Sequence, residues 1–391
     1  MRLFMELLVK TMMGLEDVLA AELSALGAVD VSLGHRVVSC QGDLRLLYRA
    51  NLELRTALRV LVVIATFQSN NERSLYRSLQ RTNWSRYLAK DGTLWVDAMS
   101  QSERFPNSQY LARLTKDAVV DQFREQTGVR PNVVKDESDL RINLHVAEDG
   151  FTTLSLDSSG AGLHRRGYRR QTGEAPLNEV LAAGLLLLAG YRGEQPFVDP
   201  MCGSGTIVCE AAMIAARRAP GMGRRFGFQQ WPDFDPELLG EIRQLAFEQQ
   251  RTPPYPIVGA DADLLAVPLA RVALDRLTLT PFVSLVTADF AALVPPPPTD
   301  ATVPGGLLLM NPPYELRLKT GDIEHFYQQI GDVLKQQYQR YSAWIFSANR
   351  EALKRVGLRT SRKIPLMNGP LEARLQRYDM YAGTAGDSSS N

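Results

Sequence analysis

The strongest constraint on the fold is a set of short apolar runs in the second half of the chain, each ending in an acidic or amide residue. After residue 195 these runs alternate with segments of helical character, and they read FVDPM, PIVGAD, FVSLVTAD, LLLMNPPY and AWIFSAN. Continuous apolar runs of this length are typical of parallel strands that are buried on both faces. Strands that alternate with helices predict an α/β fold with a doubly wound, Rossmann-like sheet.

Residues 1–160 follow a different pattern. Strands are predicted at 59–67 and 93–99, and the run over 139–157 predicts a hairpin that turns at Glu148-Asp149-Gly150. Helical periodicity predicts helices over 14–26, 43–54, 72–89 and 110–127. This mixture predicts an N-terminal α+β module. A chain of 391 residues is long enough for two domains.

The composition excludes several classes of protein. Charged residues make up 22% of the chain and the net charge is +1, so any nucleic-acid surface must be local. The three cysteines and four histidines have no spacing typical of a zinc site or a disulfide framework, which predicts no metal and a reducing compartment. The apolar run at 181–190 is too short to span a bilayer. A buried helix, no membrane partner and a cytoplasmic location are therefore expected.

The first apolar run leads into a glycine-containing turn, DPMCGSGT at 199–206, which precedes the helical segment IVCEAAMIAARRA. Gly203 and Gly205 allow the backbone to turn tightly and to approach a ligand closely. The spacing is neither the dinucleotide pattern GxGxxG nor a P-loop, because no Gly-Lys-Ser/Thr follows. The residues favour a small bound group near Asp199 and the N–H groups of the turn. A tight connection without a ligand is the alternative.

The second and third runs end in aspartates, Asp261 in GADAD and Asp289 in TADF. A carboxylate after the second strand of such a sheet commonly binds ribose hydroxyl groups. Asp261 lies 62 residues after Asp199, whereas about 20 is usual, so residues 217–256 are expected to form an insertion or an extended crossover. Each aspartate alone is also compatible with a helix N-cap. Three strand-end acids along one sheet favour a binding edge.

The fourth run ends at Asn311-Pro312-Pro313-Tyr314. Proline lacks the N–H donor that a central strand needs, so the chain must leave the sheet here in a fixed shape. Asn311 and Tyr314 are then expected beyond the carboxyl end of the strand, where α/β proteins bind their ligands. A turn that only ends the strand is the alternative.

Together these stretches resemble the class I S-adenosylmethionine-dependent methyltransferases. The resemblance implies that S-adenosyl-L-methionine is the cofactor, with its methionine moiety at DPMCGSGT, its ribose at the GAD acid and its adenine amine at the TADF acid. The cofactor-binding residues so implied are Asn178, Asp199, Pro200, Cys202, Gly203, Gly205, Thr206, Asp261, Ala262, Asp289 and Phe290. Asn178, in PLNEVLAAG, would help to close the cofactor pocket, or it only begins a helix.

The NPPY motif resembles that of enzymes that methylate exocyclic or amide nitrogens, which implies Asn311, Pro312 and Tyr314 as the catalytic residues. An exocyclic amine is a poor nucleophile because its lone pair is delocalised into the ring. If the Asn311 side-chain oxygen and the Pro312 carbonyl accepted its two N–H groups, the nitrogen would become pyramidal with its lone pair facing the sulfonium methyl. Tyr314 would stack on the base. Neither a metal nor a strong general base is needed.

Three local concentrations of arginine favour a nucleic-acid partner. Residues 49–86 contain seven arginines and two acids, and three of these arginines fall at i, i+4 and i+8 on a predicted helix. Like charges so placed repel, which phosphate neutralisation would explain; a solvated face is the alternative. The linker HRRGYRR would contact phosphate or order the chain, and 340–377 holds nine basic residues and two acids. The predicted RNA-binding residues are Arg73, Arg77, Arg81, Arg165, Arg166 and Arg169.

The whole chain resembles the THUMP-domain RNA methyltransferases that modify guanine N2, in their bacterial large-subunit rRNA branch. The stretches that carry this resemblance are LHRRGYR (163–169), APLNEVLAAGLLLLAG (175–190), DPMCGSGT, NPPY and NGPLEARL (368–375). The resemblance implies a ferredoxin-like domain over 1–65, a THUMP RNA-binding domain over 66–160 and a class I methyltransferase domain over 177–382. The polar, basic and Gly/Pro-containing composition predicts a linker over 161–176, and the sequence GTAGDSSSN predicts a disordered tail over 383–391.

The implied product is N2-methylguanine in 23S rRNA. Two alternatives stay open: a tRNA guanine-N2 methyltransferase, and a non-catalytic RNA-binding protein that acts in ribosome assembly. Neither the residues nor the resemblance indicates an oligomeric state.

Overall fold

The computed structural model describes residues 4–169, 177–297, 305–314 and 320–380. Two compact units are present. The first unit comprises the N-terminal residues to Thr11, 19–165 and 221–245; the second comprises 12–18, 166–220 and the residues from 246 onwards. Residues 170–176 of the predicted linker and the predicted tail at 383–391 lie outside the described residues.

The elements between residues 5 and 157 follow the predicted α+β pattern. Their bounds are β1 Met5–Lys10, α1 Glu16–Ala25, β2 Val29–Gly34, β3 Val37–Gly42, α2 Leu44–Glu53, β4 Arg59–Gln68, α3 Glu72–Gln80, β5 Thr93–Ser100, α4 Ser108–Thr127, β6 Asn132–Val133, β7 Leu140–Val146 and β8 Phe151–Asp157.

One mixed sheet runs through the first unit in the order β2-β3-β1-β4-β8-β7-β5-β6. β4 lies inside this sheet and pairs antiparallel with both β1 and β8. The predicted hairpin is confirmed: Ile142 lies opposite Leu156, and Gly150 has a φ of 90° in the turn. Residues from 1–65 and from 66–160 therefore contribute strands to the same sheet.

The predicted helix over 72–89 is wrong in length. α3 ends at Gln80, and a separate 3₁₀ turn covers Trp84–Arg86. In a continuous helix the Trp84 N–H would donate to the Gln80 carbonyl. The Gln122 side chain takes both groups instead: its Oε1 accepts from the Trp84 N–H at 2.9 Å, and its Nε2 donates to the Gln80 carbonyl at 2.9 Å. A residue of α4 thus ends α3.

The elements beyond residue 177 alternate as predicted. Their bounds are α5 Glu179–Leu188, β9 Phe197–Asp199, α6 Thr206–Ala215, α7 Pro236–Glu248, β10 Ile257–Asp261, α8 Ala266–Arg276, β11 Val283–Thr287, β12 Gly306–Met310, α9 Thr320–Gln337, β13 Tyr341–Ser347, α10 Arg350–Arg355, β14 Arg362–Asn368 and β15 Leu371–Asp379. α5 is the predicted buried helix. Among the described helices, none is long and apolar enough to cross a membrane.

The sheet of the second unit has the order β11-β10-β9-β12-β13-β15-β14. The first five strands in this order, which end with β13, are parallel. β14 and β15 form an antiparallel hairpin at one side. The five apolar runs are the five parallel strands, so the predicted doubly wound α/β fold with an N-terminal α+β module is confirmed.

The predicted insertion within 217–256 belongs in large part to the other unit, because residues 221–245 pack within the first unit. The Phe228 ring stacks on the Tyr48 ring, with centroids 4.2 Å apart and an interplanar angle of 11°. The Gly221 N–H donates to the Leu52 carbonyl at 2.9 Å. This crossover therefore adds to the core of the first unit.

Candidate active site

Four predicted site residues lie at the carboxyl ends of neighbouring parallel strands. Asp199 ends β9 and lies opposite Gly259 of β10, and Asp261 ends β10. Asp289 follows β11 and Asn311 follows β12. β9 and β12 are adjacent although β10 and β11 lie between them in sequence. The strand order thus reverses between Asp199 and Asn311, which is where α/β sheets bind ligands.

The glycine turn after β9 has a backbone that favours glycine. Gly203 and Gly205 have φ angles of 52° and 84°. A Cβ on Gly205 would lie 2.7 Å from the Ala270 Cβ, whereas a Cβ on Gly203 would have no atom within 4 Å. The Gly203 N–H donates to Asp261 Oδ2 at 2.8 Å. Gly205 is therefore needed for packing on α8, and open space lies beside Gly203.

The Asp199 carboxyl group is buried and incompletely bonded. Its Oδ1 accepts a long hydrogen bond of 3.4 Å from the Met201 N–H, and its Oδ2 has no partner among the described residues. Burial raises the pKa of this carboxyl well above its ordinary value, and the nearby Asp261 charge raises it further. A positively charged group beside Oδ2 would stabilise the ionised form.

Asp261 and Asp289 both accept backbone N–H groups. Asp261 Oδ1 accepts from the Asp263 N–H at 2.9 Å. Asp289 Oδ1 accepts from the Ala291 N–H at 2.8 Å and caps a 3₁₀ turn, so its cap role is present and its contact with the adenine amine stays a prediction. Of their predicted neighbours in the site, Ala262 is exposed, and the buried ones are Pro200, Cys202, Thr206 and Phe290.

The Asn311 and Tyr314 side chains are bonded to each other. The Tyr314 hydroxyl donates to Asn311 Oδ1 at 2.7 Å and accepts from Asn368 Nδ2 at 3.1 Å. Burial raises the pKa of Tyr314 to about 12, so the hydroxyl keeps its proton at neutral pH. An amide oxygen has two lone pairs, and Asn311 Oδ1 therefore has capacity for one more donor.

Residues that are not among the predicted site residues hold the turn at 311–314 in place. Asn349 Nδ2 donates to the Tyr314 carbonyl at 3.2 Å, and the Tyr327 hydroxyl to the Pro313 carbonyl at 3.4 Å. The Tyr327 hydroxyl also lies 2.7 Å from Ser347 Oγ. Asn349 follows the fifth apolar run, so its strand-end position is a signal that identifies it. Tyr327 lies inside α9, where no local pattern marks it.

Comparison with known proteins assigns this chain to a family. A model of the RMKL-like methyltransferase domain matches residues 166–377, which is more than half of the chain. The chain belongs to the RMKL-like methyltransferase family. Models of the RlmL ferredoxin-like domain and of the THUMP domain match residues 6–61 and 69–157. The predicted combination of a ferredoxin-like domain, a THUMP domain and a class I methyltransferase domain is confirmed.

The similarity extends over nearly the whole chain. A protein of Synechocystis sp. that is named as an RNA methyltransferase is 39% identical over 371 residues, which cover 94% of this chain and 95% of that protein. The ribosomal RNA large subunit methyltransferase K/L of Syntrophotalea carbinolica is 40% identical, over 94% of this chain and 52% of that protein. The chain thus spans about half the length of the K/L relative.

A crystal structure supports the same assignment of the fold. This structure, of a methyltransferase in complex with SAH (S-adenosylhomocysteine), matches with a TM-score of 0.86 and 28% identity. The match covers 98% of this chain and 100% of that chain.

Two arginines of the predicted linker hold the start of the RMKL-like domain. The Arg166 side chain is only 2% exposed, and its Nε lies 3.3 Å from Oε1 of the buried Glu210 in α6. Arg169 Nη1 lies 3.7 Å from Glu179 Oε1. The prediction that Arg166 contacts RNA phosphate is wrong, because a buried and paired guanidinium is inaccessible. The pairing holds Arg166 against α6, and the RNA contact of the partly buried Arg169 stays a prediction.

The remaining predicted residues fall into two groups. Asn178 is the N-cap of α5 and accepts from the Val180 N–H at 2.9 Å, so its helix-start role is present and its cofactor contact stays a prediction. Exposed side chains are those of Arg73, Arg77, Arg81 and Arg165. Among the described residues, no group of three or more His, Cys, Asp or Glu side chains is arranged to hold a metal ion.

Proposed function

We propose that this chain transfers a methyl group from S-adenosyl-L-methionine to the exocyclic N2 amine of a guanine in RNA, with 23S rRNA as the substrate. The observation that carries the proposal is the Asn311 side-chain oxygen, which Tyr314 holds at the end of β12 beside the glycine-turn strand β9. An amine that attacks a methyl donor needs a fixed acceptor at this edge of a methyltransferase sheet.

The residues of the second unit fit the proposed cofactor. The unpartnered Asp199 Oδ2 suits the ammonium group of a methionine moiety, since charge-assisted hydrogen bonds are the strong ones. The open space beside Gly203 leaves room for a ligand against the backbone. Asp261 is partly exposed at the end of β10, and in this proposal its carboxylate accepts the ribose hydroxyls. When bound, the cofactor supplies an electrophilic methyl group on a sulfonium sulfur.

The catalytic roles follow from the chemistry of an amine. In the proposed mechanism Asn311 Oδ1 and the Pro312 carbonyl accept the two N–H groups of the guanine amine. The nitrogen lone pair then forms the bond to the methyl carbon while the sulfur–carbon bond breaks, and the sulfur keeps that electron pair. The nitrogen becomes positively charged and releases one proton to solvent. Because both acceptors are fixed in advance, they stabilise this charge without reorganising.

Tyr314 has two proposed roles. Its hydroxyl orients the Asn311 oxygen in the structure described here. On the substrate side, its ring would stack on the guanine once the base has left the RNA helix, a contact worth about 1–3 kcal/mol.

An RNA substrate is supported by the THUMP match at 69–157 and by the names of two relatives. One of these names specifies large-subunit ribosomal RNA. The proposal of guanine N2 is supported by the resemblance of the NPPY motif together with the THUMP module. A guanine in tRNA would use the same site, and the substrate test below separates the two.

Two variants test the division of roles within the site. Asn311→Ala is expected to lower methyl transfer by about 100-fold to 1000-fold, the usual loss for one preorganised polar group, and to leave the affinity for S-adenosyl-L-methionine nearly unchanged. Asp261→Ala is expected to weaken that affinity. Calorimetry and a radiolabelled methyl-transfer assay measure both quantities. Full activity of Asn311→Ala would contradict its role, and unchanged affinity of Asp261→Ala would remove Asp261 from the ribose site.

The substrate is tested in cells that lack the protein. Mass spectrometry of nucleosides from purified 23S rRNA and tRNA is expected to show the loss of one N2-methylguanine from 23S rRNA. Loss from tRNA alone would replace the rRNA assignment with the tRNA alternative. If no methylated nucleoside changes and the purified protein transfers no methyl group, the non-catalytic assembly role is favoured.

A further inference from the structure

A cavity of about 350 Å³ lies in the THUMP region of the first unit. Its floor is formed by β4, and its walls by the end of α3 and the 3₁₀ turn that follows. The lining residues are Ile64, Ala65, Phe67, Ser78, Arg81, Thr82, Asn83, Arg86 and Tyr87. This volume lies in the range of small-ligand sites.

The cavity floor departs from regular strand geometry. The pairing of β4 with β8 shifts register between Val63 and Ala65, so Ile64 is an extra residue in the strand. Such β-bulges re-aim side chains and occur often beside binding sites. Ile64, Ala65 and Phe67 are all partly exposed, and the floor is therefore an apolar surface that solvent or a ligand can reach.

The cavity wall is rigid, because Gln122 of α4 holds it through the backbone. The Gln122 side chain bonds to the Gln80 carbonyl, the Thr82 carbonyl and the Trp84 N–H, at 2.9, 2.8 and 2.9 Å. The Trp84 indole is buried, and its Nε1 donates to the Leu79 carbonyl at 3.0 Å. A segment that is fixed before a ligand binds loses little entropy on binding.

The side chains around the rim suit an anion with an aromatic part. Arg81 and Arg86 are exposed, and no Asp or Glu occurs among the described residues that line the cavity. The Arg86 guanidinium lies 5.7 Å from the centroid of the Tyr87 ring. Asn83 and Ser78 add polar groups that can bond to a base edge or a ribose. Apolar floor, aromatic ring and arginines are the components of single-strand nucleic-acid sites.

We propose that this cavity binds one unpaired nucleotide of the RNA substrate. The base lies on the floor formed by Ile64, Ala65 and Phe67 and contacts Tyr87, and the flanking phosphates are bound by Arg81 and Arg86. A rigid concave site for a single base selects single-stranded RNA, since the bases of a duplex are stacked and paired. This inference rests on the proposed function for RNA as the partner, and it adds a recognition site outside the methyltransferase unit.

The binding test compares two double variants of equal charge. Arg81→Ala/Arg86→Ala removes the cavity arginines, and Arg113→Ala/Arg130→Ala removes two exposed arginines that do not line it. Fluorescence anisotropy uses a labelled six-nucleotide oligouridylate and a blunt RNA duplex. The cavity variant is expected to bind the oligouridylate about 5-fold to 150-fold more weakly, and the control less than about 3-fold. Equal losses of oligouridylate affinity in the two double variants would overturn the proposal. Wild-type protein that binds the duplex as tightly as the oligouridylate would also overturn it.

A crosslink locates the contact directly. An oligonucleotide that carries 4-thiouridine is irradiated with the wild-type protein, and the modified peptide is identified by mass spectrometry. Modification within 81–87 is expected, and modification confined to other segments contradicts the proposal.

Methyl transfer separates this inference from the proposed function. The Arg81→Ala/Arg86→Ala variant is expected to raise the KM for RNA, with kcat and the affinity for S-adenosyl-L-methionine unchanged. A crosslink within 81–87 in a protein that transfers no methyl group would leave the nucleotide site standing and reject the enzymatic proposal. If the protein is active and Arg81→Ala/Arg86→Ala leaves the KM for RNA unchanged, the enzymatic proposal stands and the nucleotide site is rejected.

Discussion

At the scale of single residues, the Asp199 carboxyl group has the most distinctive environment in the second unit. It is completely buried, it lies at the end of β9, and one of its oxygens has no partner among the described residues. Its neighbours on the glycine turn supply only one long hydrogen bond. Such a group is costly to ionise unless a cation arrives, so the proposed binding of the cofactor ammonium would be coupled to loss of the Asp199 proton.

The raised pKa of Asp199 predicts how the stability of the unliganded protein varies with pH. A carboxyl whose pKa is higher in the folded than in the unfolded state contributes stability below the unfolded value, about 3.9, and loses it as pH rises through the folded pKa. Asp199→Asn is therefore expected to make the urea midpoint less sensitive to alkaline pH, measured between pH 5 and pH 9. Parallel pH profiles of wild type and variant would show that Asp199 is ionised without cost.

At the scale of elements, residues 166–168 are fixed to α6 by a buried ion pair. Arg166 and Glu210 have side chains that are 2% and 0% exposed, and the Tyr168 hydroxyl donates to the same Glu210 oxygen at 3.2 Å. Glu210→Gln removes the negative charge that faces the buried Arg166 guanidinium. Loss of one partner of a buried pair costs about 3–5 kcal/mol. A matching fall in the free energy of unfolding is expected from urea titration.

An exposed pair provides the control for this prediction. Glu351 and Lys354 form a salt bridge in α10 with side chains that are 74% and 70% exposed. Exposed pairs are screened by solvent and contribute little, so Glu351→Gln is expected to leave the urea midpoint unchanged. Equal shifts in the two variants would show that burial does not determine the contribution of these pairs.

The elements that the sequence predicts well are those whose pattern is local. The five parallel strands are continuous apolar runs, and their strand-end residues Asp199, Asp261, Asp289 and Asn311 follow from position alone. β1–β3 and the hairpin β14–β15 are not predicted. The apolar signal is weakest in β2, which has no buried residue, and in β14, which has one. Their partners in the sheet make them strands, and local sequence does not contain the partners.

Contacts between distant residues account for the other differences. Gln122 ends α3 from 42 residues away by binding the Gln80 carbonyl. Arg166 belongs to a basic stretch in the sequence, yet in the structure it is buried and paired with Glu210. The bond between Tyr314 and Asn311 is close in sequence, but its brace Asn368 lies 54 residues away from Tyr314. Motifs thus predict which residues belong to the candidate site, and the tertiary structure determines the contacts that each one makes.

At the scale of the whole molecule, the two compact units are not two consecutive stretches of sequence. Residues 221–245 return to the first unit and contribute an aromatic cluster to it. In this cluster Phe228 stacks on both Tyr48 and Phe226, with centroid distances of 4.2 and 5.3 Å, and Phe234 packs against Phe228 at 6.0 Å. The buried Tyr48 lies in α2, so an N-terminal element depends on residues that follow the glycine turn in sequence.

This dependence predicts that residues 1–165 do not form a stable domain alone. Without the returning segment, Tyr48 loses its stacking partner Phe228, and removal of one buried phenylalanine side chain already costs about 3–5 kcal/mol. We expect the 1–165 fragment to bind a hydrophobic dye and to unfold without a cooperative transition. The same fragment joined by a Gly/Ser linker to residues 221–248 is expected to unfold cooperatively, because the linked segment restores the cluster. Identical cooperative melting of both chains would mean that residues 221–245 only cover a core that residues 1–165 complete by themselves.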